Sequence, residues 1–340
     1  MAEPERLEAG RLRCPVPDPL PRLLITLKSR SEIGRAAGHR LPGVPFAYLE
    51  GTDPGRLLGI EAMLVGSPAR ELGSFDPRTL PALSFVQRIY TGLDGFPFER
   101  FPPGAAVAAN AGAFAPFVAE HAVALALAAG HDLPGAREMV RHGRLRPVPG
   151  TRGLTGSTVV VLGFGAIGSE IARRLGAFGA RIVGVNRSGA PHPECGRMFP
   201  ADRLEEAVAG AAFVFETRPL TRATAGTLGR AAFEAMAPDA VLVNVGRAGT
   251  VDEEALYRHL KDHPSFRAAL DVWWQENFAE GTVATRFPFA DLANFLGTPH
   301  MAAAAPAAEA YALDRAFENL ARFFRGEPPL HIVDRREYGP

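Results

Sequence analysis

The chain has 340 residues, 47% of them hydrophobic and 22% charged, and its formal net charge is zero. That supplies enough apolar material for two domains with real cores. It also removes the electrostatic case for a nucleic-acid or anionic-membrane partner. The two cysteines, Cys14 and Cys195, stand far apart without metal-like neighbours. Neither a disulfide scaffold nor a metal site is expected, and a reducing cytoplasm fits.

Residues 1–20 are polar and proline-rich, with no apolar leader, and read as a flexible lead-in rather than a secretory signal. From 21 to 107 the pattern alternates. Leu23 to Leu27, Ala62 to Gly66, Phe85 to Ile89 and Ala105 to Ala109 read as strands separated by helix-length spacers, a small parallel α/β unit. Phe117 to Ala129 is nearly all apolar and alanine-rich, which predicts a buried helix; Glu120 and His121 interrupt it and read as structural. His131 to Gly150 resembles an arm or long connection. No run reaches the roughly 18 apolar residues of a membrane helix.

A clearer series follows. Val159 to Leu162, Ile182 to Val185, Ala212 to Phe215, Val241 to Val243 and Ala268 to Leu270 are short, continuous apolar runs, each followed by loop residues. Central parallel strands look like this, and the helical spacers at Ser169 to Phe178 and Asp252 to Lys261 complete a doubly wound sheet. After His300 comes a small-residue bend. Leu313, Ala316, Phe317, Leu320, Phe323 and Phe324 then recur at three-and-four spacing along a final helix.

Gly163, Gly165 and Gly168 form G-x-G-x-x-G between the first strand of that series and its helix. The triplet alone is weak; in this context it is a strong dinucleotide signal. Gly163 permits the tight turn, Gly165 lets a pyrophosphate approach the backbone, and Gly168 lets helix and strand pack closely. The helix N-terminus offers unpaired N–H groups to the phosphates. An acidic residue at the end of the second strand would select NAD. This chain has Asn186, then Arg187 and Ser188, which favours NADP over NAD. The alternative is that Arg187 stacks on adenine or faces solvent.

Three downstream segments sit where strands end and ligands bind. They are Val243 to Asp252, Leu270 to Glu276 and Gly297 to His300. Taken with Thr91-Gly92-Leu93-Asp94, Val118-Ala119-Glu120-His121 and Pro219-Leu220-Thr221, in this order and spacing, they make the chain resemble the D-isomer-specific 2-hydroxyacid dehydrogenase family from about Phe85 onward. The first eighty residues match in general pattern only.

The resemblance implies two Rossmann-like domains of the α/β class. A doubly wound parallel-sheet dinucleotide-binding domain, residues 108–300, would be inserted into a flavodoxin-like substrate domain, residues 21–107 plus 301–340. Met301 to Ala305 would be a hinge crossing. It implies a homodimer through the cofactor domain. Hydride would move between NAD(P) and a small 2-oxo or D-2-hydroxy acid, as in glyoxylate and hydroxypyruvate reductases.

The implied catalytic residues are Arg247, Glu276 and His300. Each suits its role: histidine as general acid and base near neutral pH, glutamate fixing its tautomer, and arginine forking onto a carboxylate. Implied cofactor contacts are Gly163, Gly165, Ala166, Ile167, Gly168, Asn186, Arg187, Ser188, Pro219, Thr224, Val245, Gly246, Arg247, Asp271 and His300. Asp271 would meet the nicotinamide carboxamide. Implied substrate contacts are Tyr90, Thr91, Gly92, Leu93 and Arg247, with Tyr90 and Asn110 reaching the cleft.

Four departures bear on the substrate. Ala248 stands where the family commonly has glycine, Trp273-Trp274 replaces a Phe-Glu pair, Asn277 replaces proline, and Arg218 adds positive charge near the cofactor mouth. Formate-oxidising relatives carry glutamine at the position of Glu276, which argues against formate. Two other readings stay open: a cofactor-sensing regulatory protein on the same scaffold, and a phosphite-type oxidase.

Overall fold

The computed structural model of the chain describes residues 19–28, 31–93, 95–145, 150–278 and 280–338. The expected lead-in thus lies almost wholly outside the described residues, as do Cys14 and Asp94.

Five short strands build the first sheet: β1 (Leu23–Ile25), β2 (Phe46–Tyr48), β3 (Ala62–Val65), β4 (Phe85–Arg88) and β5 (Ala106–Ala108). Their order is β2-β1-β3-β4-β5 and every pairing is parallel, the order of flavodoxin-like sheets. Alternate residues face opposite ways. Leu23, Ile25 and Leu64 join the core under the helices Ser31–Arg40 and Ala308–Phe324, while Leu24, Met63 and Val65 join the core on the other face. The apolar stripe of the final helix therefore packs on a sheet made more than two hundred residues earlier. Arg40, on the first helix, fastens it further by donating to Asp314 at 2.7 Å.

The second sheet has seven strands. In chain order they start with β6 (Thr158–Leu162), β7 (Arg181–Asn186), β8 (Arg197–Pro200), β9 (Phe213–Glu216), β10 (Val241–Asn244) and β11 (Arg267–Leu270). An isolated antiparallel hairpin follows, β12 (Gln275–Asn277) with β13 (Thr282–Ala284), and then the edge strand β14 (Phe295–Gly297). The order β14-β11-β10-β9-β6-β7-β8 is parallel throughout and doubly wound, with its switch point between β6 and β9. Val159 and Val161 point toward the helices Ala115–Gly130 and Ala166–Gly176; Val160 and Leu162 point to the opposite helical layer. All four are fully buried, each contributing roughly 1.5–3 kcal/mol of apolar transfer.

Every expected strand exists, shifted by a residue or two at its ends. The sequence reading did not name β2, β8, β14 or the hairpin β12–β13, all short elements of three or four residues that bury little of their surface. The expected connection after His131 contains a helix, Leu133–Arg141, capped by the Asp132 side chain on Gly135 N–H at 3.2 Å. Glu120 is exposed and not packed, so only His121 of that pair has the structural setting expected.

Candidate active site

One row of paired residues crosses the second sheet at its carboxyl edge: Val185, Leu162, Glu216, Asn244, Leu270 and Gly297. The catalytic and cofactor-contacting residues expected from sequence come within a few residues beyond this row, apart from the loop after β4. Parallel strands aim all their carboxyl ends the same way, so six loops converge on one crevice.

The three glycines do different work. Gly163 has φ +89°, and a Cβ there would stand 2.9 Å from Arg218 Cγ. A Cβ on Gly168 would fall 2.2 Å from the Gly163 carbonyl oxygen, inside the helix–strand contact. Gly165 caps the helix Ala166–Gly176, and the space a Cβ would take there has no protein atom within 4 Å. Gly165 and Ala166 are exposed, while Ile167 is half-buried. Closed packing behind and open space in front of a helix N-terminus fit a dinucleotide pyrophosphate.

The second strand ends differently from expectation. Asn186 Oδ1 accepts from Ser188 N–H at 3.2 Å and Gly189 N–H at 2.7 Å, and its amide donates to Ala190 O at 2.8 Å. The side chain therefore closes its own turn. Arg187 is exposed and paired with Glu337 at 3.0 Å. Ser188 is exposed.

Arg218 needs a correction. It does not add a net positive charge to the cofactor mouth, because Glu216 takes it bidentately: Arg218 Nη2 lies 2.5 Å and Nε 3.0 Å from the carboxylate, in a pair that is 8% and 0% exposed. Arg218 N–H donates to the same carboxylate at 2.8 Å. The two residues after β9 wedge between two glycines: Thr217 Oγ1 donates to Gly163 O at 2.7 Å, and a Cβ on Gly246 would lie 2.9 Å from Arg218 O. Thr224 donates to Pro219 O at 2.6 Å and shapes the next turn. Val245 and Gly246 donate their N–H groups to Glu216 O.

His300 and Glu276 meet. His300 Nδ1 lies 2.8 Å from Glu276 Oε1, which also accepts Trp273 N–H at 2.8 Å. A carboxylate has no proton to give, so Nδ1 carries it and Nε2 remains for another partner. His300 has φ +52°, a left-handed conformation uncommon outside glycine, and its N–H donates to Thr298 O across Pro299. The Phe278 ring stands edge-on to the imidazole at 5.1 Å. The two tryptophans tie three loops together. Trp273 Nε1 donates to Thr298 O at 2.9 Å and its ring covers Gly297; Trp274 Nε1 donates to Val251 O at 3.0 Å.

Asp271 is 1% exposed, and its carboxylate turns toward the loop at 298–302. It accepts from Thr298 Oγ1 at 2.6 Å, Met301 N–H at 2.9 Å and Ala302 N–H at 2.8 Å; His121 Nε2 stands 3.5 Å away. Burial disfavours the charge, but the hydrogen bonds from His121, Thr298, Met301 and Ala302 outweigh it and hold the carboxyl below its usual range. His121 is thus a fastening point of the His300 loop. Arg247 begins the short turn Ala248–Thr250, with Nη1 donating to Gly246 O at 2.8 Å. Ala248 keeps an ordinary backbone conformation, so the missing glycine costs nothing there.

From the first sheet, the loop after β4 supplies Tyr90, 45% exposed and stacked on Phe114. Thr91 Oγ1 donates to Asn110 O at 3.1 Å, and Arg88 donates to Gly92 O. Leu93 is buried and presents no side chain to a cleft. Asn110 is likewise 4% exposed, its amide donating to Ile89 O and Ala312 O, so it does not reach the cleft. Sequence reasoning passed over Glu216, Phe278 and Glu337. An acidic residue closing the apolar run Phe213-Val214-Phe215 was the one visible signal.

Fold and site define a two-sheet α/β protein with a dinucleotide crevice at the switch point of its larger sheet. The profile of the D-isomer specific 2-hydroxyacid dehydrogenase NAD binding domain matches residues 123–302. A hydroxypyruvate reductase of Thermotoga maritima is 31% identical over 67% of this chain and 73% of its own. A provisionally assigned formate dehydrogenase of Pyrobaculum aerophilum is 31% identical, with a TM-score of 0.79 over 94% of this chain and all of that one. A D-isomer specific 2-hydroxyacid dehydrogenase of Xanthobacter autotrophicus, solved with NADPH, is 25% identical with a TM-score of 0.78 over 94% of this chain and 100% of that one. The chain belongs to the D-isomer specific 2-hydroxyacid dehydrogenase family. It spans about half the length of the D-3-phosphoglycerate dehydrogenases it matches, 48% for that of Methanocaldococcus jannaschii.

Proposed function

We propose that the protein is an NAD(P)-dependent oxidoreductase interconverting a small 2-oxo acid and its D-2-hydroxy acid, in the manner of glyoxylate and hydroxypyruvate reductases. The observation that carries this is the His300–Glu276 pair, at 2.8 Å, on the same carboxyl edge as the glycine loop. Bound at Gly163 to Gly168, a nicotinamide dinucleotide supplies the hydride. Arg247 holds the substrate carboxylate and polarises its carbonyl. His300 Nε2 gives its proton to the carbonyl oxygen in reduction and takes it back in oxidation. Glu276 accepts from Nδ1–H and so fixes the ring's tautomer and orientation. The main chain at Tyr90, Thr91 and Gly92 completes the carboxylate site.

NADPH is the proposed cofactor ahead of NADH, because no acidic side chain ends the second strand and Arg187 stands exposed beside it. The proposed domains are 21–107 plus 301–340 for substrate and 108–300 for cofactor; β5, ending at Ala108, belongs to the first of these by its pairing with β4. We also propose a homodimer in the cytoplasm. Leu133, Val140 and Leu145, 55%, 75% and 100% exposed along one arm, would be covered by the second copy. No helix among the described residues is long and apolar enough to cross a membrane.

The test is a panel of glyoxylate, hydroxypyruvate, pyruvate and bulkier 2-oxo acids with NADPH and NADH, plus formate and phosphite with the oxidised cofactors. Reduction of at least one 2-oxo acid is expected. Tight dinucleotide binding without turnover of any member would replace the enzyme with a sensor. Turnover of phosphite or formate alone would replace the substrate class.

A further inference from the structure

The carboxylate paired with Arg187, the residue expected to meet a 2′-phosphate, comes from the far end of the chain. Arg187 follows β7 directly and is 84% exposed on its side chain. Asn186 beside it is committed to its own turn and presents neither a carboxylate nor a free amide to a ribose. The partner of Arg187 is Glu337 Oε1, at 3.0 Å, on the turn Arg335–Glu337. That turn is anchored to the first sheet's unit. Val333 N–H donates to Val107 O at 3.0 Å, Arg335 donates to Pro102 O at 3.0 Å, and the Tyr338 ring packs on Phe98 at 6.2 Å. Its other carboxylate, Asp334, is occupied by Arg336 at 2.6 Å. Glu337 reaches the cofactor sheet's side, so the pair with Arg187 bridges the two units.

We propose that Glu337 is a cofactor-selecting residue that opposes the 2′-phosphate of NADP(H) by holding Arg187. The inference rests on the proposed dinucleotide site. An acidic residue at the end of the second strand ordinarily excludes the phosphate; here the acid arrives from the other unit. A 2′-phosphate needs the guanidinium that Glu337 already binds, so Glu337 acts through Arg187. NADH leaves the pair intact. Arg187 therefore attracts NADP(H) while Glu337 offsets part of that attraction, and the balance is struck only when the two units are together. Because the pair is largely exposed, the effect is modest, about threefold to fivefold in affinity ratio.

The experiment measures dissociation constants of NADPH and NADH by fluorescence, and of adenosine 2′,5′-bisphosphate and 5′-AMP by calorimetry, at low salt. The proteins are the full chain, Glu337→Gln, Arg187→Ala and the double variant. Glu337→Gln is expected to lower the Kd ratio of NADPH to NADH about threefold to fivefold, with the same shift in the fragment pair. In the Arg187→Ala background the Glu337→Gln change is expected to shift neither ratio. An unchanged ratio in Glu337→Gln overturns the inference, as does an equal shift in the absence of Arg187. In either case both dinucleotides still bind and the proposed site stands. Failure of the full chain to bind either dinucleotide would instead overturn the site reading itself.

Discussion

The carboxyl edges of the two sheets are built from different material. At the ends of β9, β11 and β14 stand side chains with chemistry: a buried Glu216–Arg218 pair, Asp271, Glu276 and His300. Beyond β4 of the first sheet stands mostly main chain. Tyr90 stacks on Phe114, Thr91 props Asn110 O, and the carbonyl of Gly92 is held by Arg88. The larger sheet's edge carries the proposed acid–base pair, whereas the charged groups at the smaller one, Glu71 and Arg88, hold its own loops in shape. Substitutions should therefore cost most on the second sheet's edge and fall away toward the first sheet and the outer helices.

The largest expected effect is at the buried pair. Arg218→Leu leaves the Glu216 carboxylate unpaired in the crevice floor, which costs about 3–5 kcal/mol. It also puts a net negative charge beneath the cofactor phosphates. A large fall in denaturant midpoint is expected, together with weakened NADPH binding. Glu216→Leu combined with Arg218→Leu should recover most of both losses, since a well-packed apolar pair is often as stable as an ion pair. If the double variant is no better than the single one, Arg218 acts on the cofactor directly and not through Glu216.

Next comes His300→Gln. It should lower kcat by about 100-fold or more while NADPH Kd changes little, the scale of a lost general acid. Unchanged kcat would remove His300 from the mechanism.

These two positions also show what could be read from sequence. His300 was legible because Thr298-Pro299-His300 is a short, ordered motif tied to a strand end. The strands of the larger sheet were legible because burial on both faces writes continuous apolar runs, as in Val159 to Leu162. The pairing of Arg218 was not, although Glu216 lies only two residues away. Which way two side chains turn at a strand end depends on the glycines that flank them in space, Gly163 and Gly246, which are far away in sequence. β14 and the hairpin were hidden for another reason: edge elements bury one face at most, so their periodicity is weak. The Glu337 contact had no local signal, being 150 residues from Arg187.

On the first sheet's edge the expected effect is smaller. Thr91→Val removes one hydroxyl bond, to Asn110 O at 3.1 Å, worth about 1 kcal/mol. KM for the 2-oxo acid should rise about fivefold or less, with kcat nearly unchanged, because the proposed carboxylate site uses the loop's main chain and not this side chain. A fall in kcat comparable to that of His300→Gln would erase the distinction between the two edges.

The smallest effect is expected away from both edges, and on stability alone. His259 lies in the outer helix Glu253–Asp262, stacked on His263 at 4.2 Å and packed against Phe266. Burial, then the neighbouring charge of His263, push its pKa down to about 4, against the opposing pull of Glu234 and Asp262. In the unfolded chain the imidazole titrates near 6.5. Between those values the unfolded chain binds a proton that the folded chain does not, so this stability is complete above about pH 6.5 and declines as pH falls toward 4. Asp271, held below the usual carboxylate range, loses its contribution only at lower pH still, which keeps the two windows apart. Thermal unfolding of the wild type should show Tm falling between pH 7 and pH 4.5, and His259→Gln should show a shallower fall over the same interval. Equal slopes would mean that His259 is protonated in the fold at little cost and that another group governs this pH range.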